Sequence, residues 1–187
     1  MECVIKEFCN GYIWKISISD SLLNFLAVLA LLIYIGAFSY LLYKKKNKII
    51  KHLAITTIAV ILFEIMIDPL VQNNRLPGWS YFYHDSSFLI TFGWVFIVAG
   101  AIWIVDFAFG KSKELTKFFL YLCAVDAIAL PIEILLVLTK VRVYSPSLVA
   151  SSVGVSIPFT GIPLEVAFAI PLYFALVIGF TKYWERQ

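Results

Sequence analysis

Six carboxylates within otherwise apolar stretches carry most of the chemical promise of this 187-residue chain: Glu64, Asp68, Asp106, Asp126, Glu133 and Glu165. A charged side chain near a bilayer centre costs about 2.5–3.5 kcal/mol on insertion scales, so such acids usually face a bundle interior or a cavity. Carboxyls clustered in low dielectric can stay protonated near neutral pH; one then delivers a proton while an ionised neighbour accepts one. The same groups can also bind a cation or hydrogen-bond helices together.

Their spacing is specific. Asp68 follows Glu64 by one helical turn, and Asp126 and Glu133 are seven apart, so each pair shares a helix face. Counting along the spans puts Glu64, Asp68, Glu133 and Glu165 in one half of the membrane, beneath a loop carrying His84 and Asp85, with Asp126 near mid-depth. These four are the candidate acid–base groups. Asp126, Trp79, Tyr81, His84, Trp94 and Tyr144 are the candidates for substrate contact. Asp106 stands apart near the far end of its span and reads as an interfacial carboxylate beside Lys111 or Lys113. No lysine or arginine lies deep in any span to neutralise the acids. Pro131 and Pro171 interrupt two spans and leave the carbonyls of Ala127 and Ala167 without helical donors, either as ordinary kinks or as borders of a cavity.

The elements that must position these groups follow from composition. Hydrophobic residues make up 61% of the chain and charged residues only 14%, against about a quarter charged in a soluble domain. The apolar residues form five runs long enough to cross a hydrocarbon core as helices: Ser21–Tyr43, Ile49–Val71, Phe88–Phe109, Leu115–Thr139 and Pro163–Thr181. The expected fold is all-α, a polytopic membrane protein with one transmembrane domain. The weakly polar stretch 148–159 either re-enters the membrane or forms a short sixth helix. Acids precede the first run and a lysine cluster follows it, which marks an anchor rather than a cleaved signal. Lys44, Lys45, Lys46, Lys48 and Lys51, then Lys111, Lys113 and Lys117, then Lys182 and Arg186 fall on one side of the spans. The positive-inside rule makes that side cytoplasmic and puts the N-terminus outside and the C-terminus in the cytoplasm. Trp79, Tyr81, Tyr83 and Tyr144 suit a headgroup-level aromatic belt on the opposite side. The cell membrane is the default location.

Other chemistries find little purchase. The net charge of +3 comes from lysines between apolar runs, which argues against nucleic acid as a partner. CxxC, HExxH, P-loop and GxGxxG patterns are missing from the sequence, and His52 and His84 are too far apart to found a metal set. Cys123 reads as a small buried residue, and a Cys3–Cys9 disulfide is open if that segment faces an oxidising compartment. A weak internal repeat is visible: two hairpins each open on lysines, carry a glutamate (Glu64 or Glu133) and exit into an aromatic connection. Chance recurrence of a hairpin pattern is the alternative.

Three stretches, FEIMIDPLVQNNRLPGWSYF at 63–82, PIEILLVLTKVRVYSP at 131–146 and GIPLEVAFAIPLYF at 161–174, resemble the membrane carotenoid-cyclase and carotenoid-hydratase type of protein. That family has acidic residues in repeated helical hairpins and a Pro–Leu–Glu–Glu–aromatic element. Here Glu165 is followed by Val166 instead of a second acid. The resemblance implies protonation of a polyene end group by Glu64, Asp68, Glu133 or Glu165, giving a cation that cyclises or captures water, without a cofactor or metal. A lipid-soluble substrate would be the partner, alongside membrane lipid. The same acids suit a small-solute or ion transporter, a membrane-embedded binding subunit, or a structural subunit, so a second copy or another membrane subunit is a further candidate partner.

Overall fold

The computed structural model describes residues 18–187; Cys3 and Cys9 lie outside them. Among the described residues five helices are long and apolar enough to cross a membrane: α1 (Asp20–Tyr43), α2 (Asn47–Ile67), α3 (Phe88–Ala108), α4 (Glu114–Leu138) and α6 (Leu164–Arg186). Between them lie β1 (Val71–Asn73), β2 (Tyr81–Tyr83), β3 (Ser86–Ser87), β4 (Arg142–Tyr144) and the short helix α5 (Pro146–Ser151).

Local chemistry sets the boundaries. Ser19, Ser87 and Ser145 each precede a helix and accept a hydrogen bond from its first turn, at Leu22, Leu89 and Leu148. The second span was expected to run to Val71 but α2 ends at Ile67, because Pro69 follows and Val71 enters a strand. The last helix runs past Thr181 to Arg186. Pro131 and Pro171 sit inside α4 and α6 without ending them. The six-residue α5 puts only 148–151 of the stretch 148–159 in a helix before the chain turns back through a Ser156–Pro163 bridge. At about 1.5 Å per residue that helix is far too short to cross a membrane, so the structure contains no sixth span among the described residues.

Helix α3 is central and half buried; α1 is peripheral and buries only Leu23 and Ala27. The core is closed and apolar where α2, α3, α4 and α6 meet: Ala59 and Val60, Val98 and Ile102, Val125, Val177 and Ile178 are all essentially inaccessible. Small residues such as Ala59, Ala101 and Ala129 allow close helix approach. On α4 the buried positions Tyr121, Val125, Ala129 and Glu133 recur every fourth residue. Cys123 is rotated away from that stripe and is exposed, which corrects the expectation that it is buried.

One end of the bundle carries the lysine connections, the other a folded cap. In the cap the connections after α2 and α4 pair with each other: β1 and β4 are antiparallel, with Val71 opposite Tyr144 and Asn73 opposite Arg142. Asp68, just past α2, accepts hydrogen bonds from the Asp85 amide (3.2 Å) and the Ser86 hydroxyl (2.9 Å), fixing the β2–β3 hairpin. Arg75 bridges Asp20 on α1 (2.8 Å) and the Thr139 carbonyl at the end of α4 (2.7 Å).

Candidate functional site

Strand alternation makes the site. In β4 Arg142 and Tyr144 point to one side and are buried, while Val143 between them is exposed. Beneath that face stand Glu64, from the last turn of α2, and Glu133, one turn after Ala129 on the buried stripe of α4. Arg142 reaches both: Nη1 donates to Glu133 at 3.0 Å and Nη2 to Glu64 at 3.4 Å. The Tyr144 hydroxyl donates to the other oxygen of Glu133 at 2.8 Å. Glu64 is 2% exposed and Glu133 5%, so neither is solvated by bulk water.

No lysine or arginine lies deep in a span, as the sequence indicated, yet the acids do have a cation. The neutralising group sits in a connection, not in a span, and folds back onto the carboxylates. Burial works against the Arg142 charge, but Glu133 and Glu64 beside it outweigh burial and hold the guanidinium above its ordinary range. Burial, and then the nearby Glu133 carboxylate, push the Tyr144 phenol above its ordinary range, with Arg142 acting in the opposite direction. Both groups therefore remain hydrogen-bond donors at neutral pH.

A cavity of about 230 Å³ opens against this cluster. Its walls are almost wholly apolar, from Ile67, Leu70, Ala169, Ile170 and Phe174, with Trp94 and Tyr173 completing an aromatic side. Trp94 lies under the Arg142 guanidinium, 5.8 Å from ring centre to carbon, and meets Phe174 edge-on. Three polar atoms on lining residues are buried without a hydrogen-bond partner among the described residues: Arg142 Nε, Tyr173 Oη and Glu165 Oε2. Buried polar groups are normally satisfied, so these three atoms have hydrogen-bonding capacity left over.

No protein-family model matches the chain, and no curated protein or solved structure matches it either.

Of the four acids proposed for acid–base work, Glu64, Glu133 and Glu165 line the cavity and Asp68 does not. Glu165 is at its edge, where one oxygen accepts the Val153 amide at 2.6 Å. Asp68 is occupied by the hairpin amide and Ser86, with His84 Nδ1 at 3.7 Å. Trp94 and Tyr144 line the cavity; the other four substrate-contact candidates lie elsewhere. Trp79 is exposed and packs on Phe88, Tyr81 donates to the Asn73 carbonyl, and His84 stacks on Tyr83 with most of its side chain exposed. Asp126 shares the face of Glu133 but lies about 10 Å further along α4, half-buried, with one oxygen unpartnered among the described residues.

Asp106 was expected to meet Lys111 or Lys113. Its partners are Lys182 (2.8 Å), the Tyr121 hydroxyl (2.5 Å) and Lys117 (3.8 Å), because α4 and α6 present those residues across α3. Two residues escaped the sequence reading, Arg142 and Tyr173. The Arg–Val–Tyr alternation at 142–144 is the signal that could have exposed the first; nothing in the sequence singles out the second.

Proposed function

We propose that this chain is a membrane enzyme that acts on one end of an isoprenoid- or carotenoid-like lipid by carboxylate acid–base chemistry, cyclisation or hydration. In this reading the five helices lie in the cell membrane, with the lysine end cytoplasmic and the cap outside. The observation that carries it is a buried carboxylate pair sharing one guanidinium on the floor of an apolar, aromatic-sided cavity.

The charge inventory supports that chemistry. Two carboxylates and one guanidinium are neutral as a group only when one further proton is present, and buried clusters favour neutrality. Glu133 has two close donors and is the better-stabilised anion; Glu64 has one long contact and is the natural carrier of the proton. Delivery of that proton to a terminal C=C forms a C–H bond and leaves a carbocation. The floor then bears one net negative charge facing the cation, and Trp94, Tyr173 and Phe174 offer their ring faces to it. For cyclisation an internal double bond attacks the cation, and loss of a C–H proton to the Glu64 carboxylate restores the acid. For hydration a water attacks, and its proton takes the same route. The cavity volume falls below the roughly 300–1,000 Å³ of sites that enclose a small ligand. It accommodates an end group, with the remaining polyene in lipid.

A transporter reading would use the same acids. It finds less support, because a closed apolar core of Val60, Val98, Ile102, Val125, Val177 and Ile178 lies between the acidic cavity and the Asp106 cluster.

The test is expression in a host that accumulates linear carotenoids, followed by analysis of extracted lipids. Wild type is expected to yield a cyclised or hydroxylated product, with Glu64→Gln and Glu133→Gln inactive at equal protein level. Unchanged pigment with abundant wild-type protein would remove the reading for carotenoid substrates.

A further inference from the structure

The lysine end holds a second cavity, of about 380 Å³, between α1 and the α2–α3 pair. Helix α1 meets the bundle through Tyr34, which stacks on Phe96 at 5.0 Å, and beyond that contact Leu41, Gly100 and Trp103 line an open cleft. The cleft is apolar along its length and ends in a polar rim of Lys48, His52, Asp106, Lys182 and Glu185. The rim carboxylates are already engaged: Asp106 by Lys182 and Tyr121, Glu185 by His52 and Lys182. His52 gives Nδ1 to Glu185, and its Nε2 is buried without a partner among the described residues. Lys48 lines the cleft, Lys44, Lys45, Lys46 and Lys51 flank it in sequence, and none of the five makes a salt bridge among the described residues.

We infer that this cleft is a binding site for an anionic phospholipid, whose phosphate lies among Lys48, His52 and the neighbouring lysines and whose acyl chain lies along Phe96, Gly100 and Trp103. The inference shares only the membrane setting with the proposed enzyme and uses none of its acid–base residues. Charge complementarity selects the headgroup: Lys48 on the rim and the lysines next to it in sequence make no salt bridge among the described residues, while the rim acids are already paired. The shape selects a chain-bearing ligand. A soluble phosphate would leave the apolar length of the cleft empty.

The full-length protein, purified in a neutral detergent, is titrated with phosphatidylglycerol and phosphatidylcholine of identical chains, and bound lipid is counted by native mass spectrometry. Phosphatidylglycerol is expected to be retained in preference, one molecule per chain. A lysine near an anionic lipid surface is worth about fivefold in affinity, so Lys48→Gln should weaken phosphatidylglycerol by roughly that factor. Gly100→Leu is expected to displace both lipids: nothing lies within 4 Å of a Cβ added at Gly100, so the new side chain fills the cleft without a clash at its base. Glu64→Gln, at the other end, should bind as wild type does, which separates this site from the acidic cavity. Equal retention of the two lipids by wild type would overturn the inference. So would undiminished phosphatidylglycerol binding in both Lys48→Gln and Gly100→Leu, or displacement of the lipid by millimolar glycerol phosphate.

Discussion

Replacing Arg142 with glutamine should damage the protein more than replacing either acid it binds. Arg142 is buried at 4% exposure and is the one cation within 4 Å of Glu64 and Glu133 among the described residues. Removing one side of a buried ion pair costs about 3–5 kcal/mol, since the remaining charge stays buried and uncompensated. Glu64→Gln leaves a balanced Arg142–Glu133 pair and loses only a 3.4 Å contact, so it should cost about 1 kcal/mol or less. Glu133→Gln loses two charge-assisted bonds but leaves Glu64 as counterion, which places it between them at roughly 2–3 kcal/mol. For a chain of this length each kcal/mol moves the melting point by about 2–4 °C. Arg142→Gln is thus expected to melt on the order of 10 °C below wild type, and Glu64→Gln within about 4 °C of it. The Arg142→Gln/Glu133→Gln double variant should recover part of the loss, because the two effects arise in one interaction. Intrinsic-fluorescence melting in a single detergent measures all four. Equal shifts for Arg142→Gln and Glu64→Gln, or strict additivity in the double variant, would refute the idea that one guanidinium holds the acids together.

Two further outcomes follow from the same geometry. Tyr144 has its folded-state phenol above the ordinary value near 10, so its contribution to stability is complete below about pH 10 and is lost as pH rises towards the folded value. Tyr144→Phe should therefore remove part of the alkaline destabilisation seen in wild-type melting between about pH 10 and 12; an identical alkaline profile in the variant counts against a buried donor. Asp68→Ala should loosen the 81–87 hairpin, since it removes the acceptor for Asp85 and Ser86. Limited proteolysis there should speed up about tenfold for a loss near 1.4 kcal/mol, whereas lipid product in the carotenoid host should fall without vanishing.

The five long helices were legible because twenty-residue apolar runs have one solution in lipid, and three of the five expected spans begin and end within about two residues of the observed helices. The pairing of Glu64 with Glu133 was also legible, since matched depth on two hairpins places both at one end. What the sequence hid was long-range. Arg142 stands in a connection and reads as a surface cation until β4 pairs with β1, a contact between residues some seventy apart. Asp68 has the composition of an active-site acid, and only the fold gives its oxygens to a hairpin. Asp106 was assigned to the nearest lysines in sequence, while α6 brings Lys182 from seventy-six residues away. In each case helix depth followed from local pattern and partner choice did not.

The dependence of the acid pair on a loop residue has a mechanical consequence. A guanidinium on a mobile connection would leave Glu64 and Glu133 uncompensated whenever the loop opened, so the cap must be held shut by contacts of its own. The structure supplies them in series: β4 is laddered to β1, Asn73 of β1 donates to the Asp85 carbonyl, and Asp68 holds Asp85 and Ser86 from below. Arg75 then ties the cap to Asp20 at the start of α1 and to the end of α4. Helix α1 contributes little to the core, and its exposed Asp20–Arg75 pair adds only a weak tie, about 1 kcal/mol or less, to the connection that carries β1. The acid that escaped the cavity, Asp68, serves the pair of glutamates through the hairpin it holds.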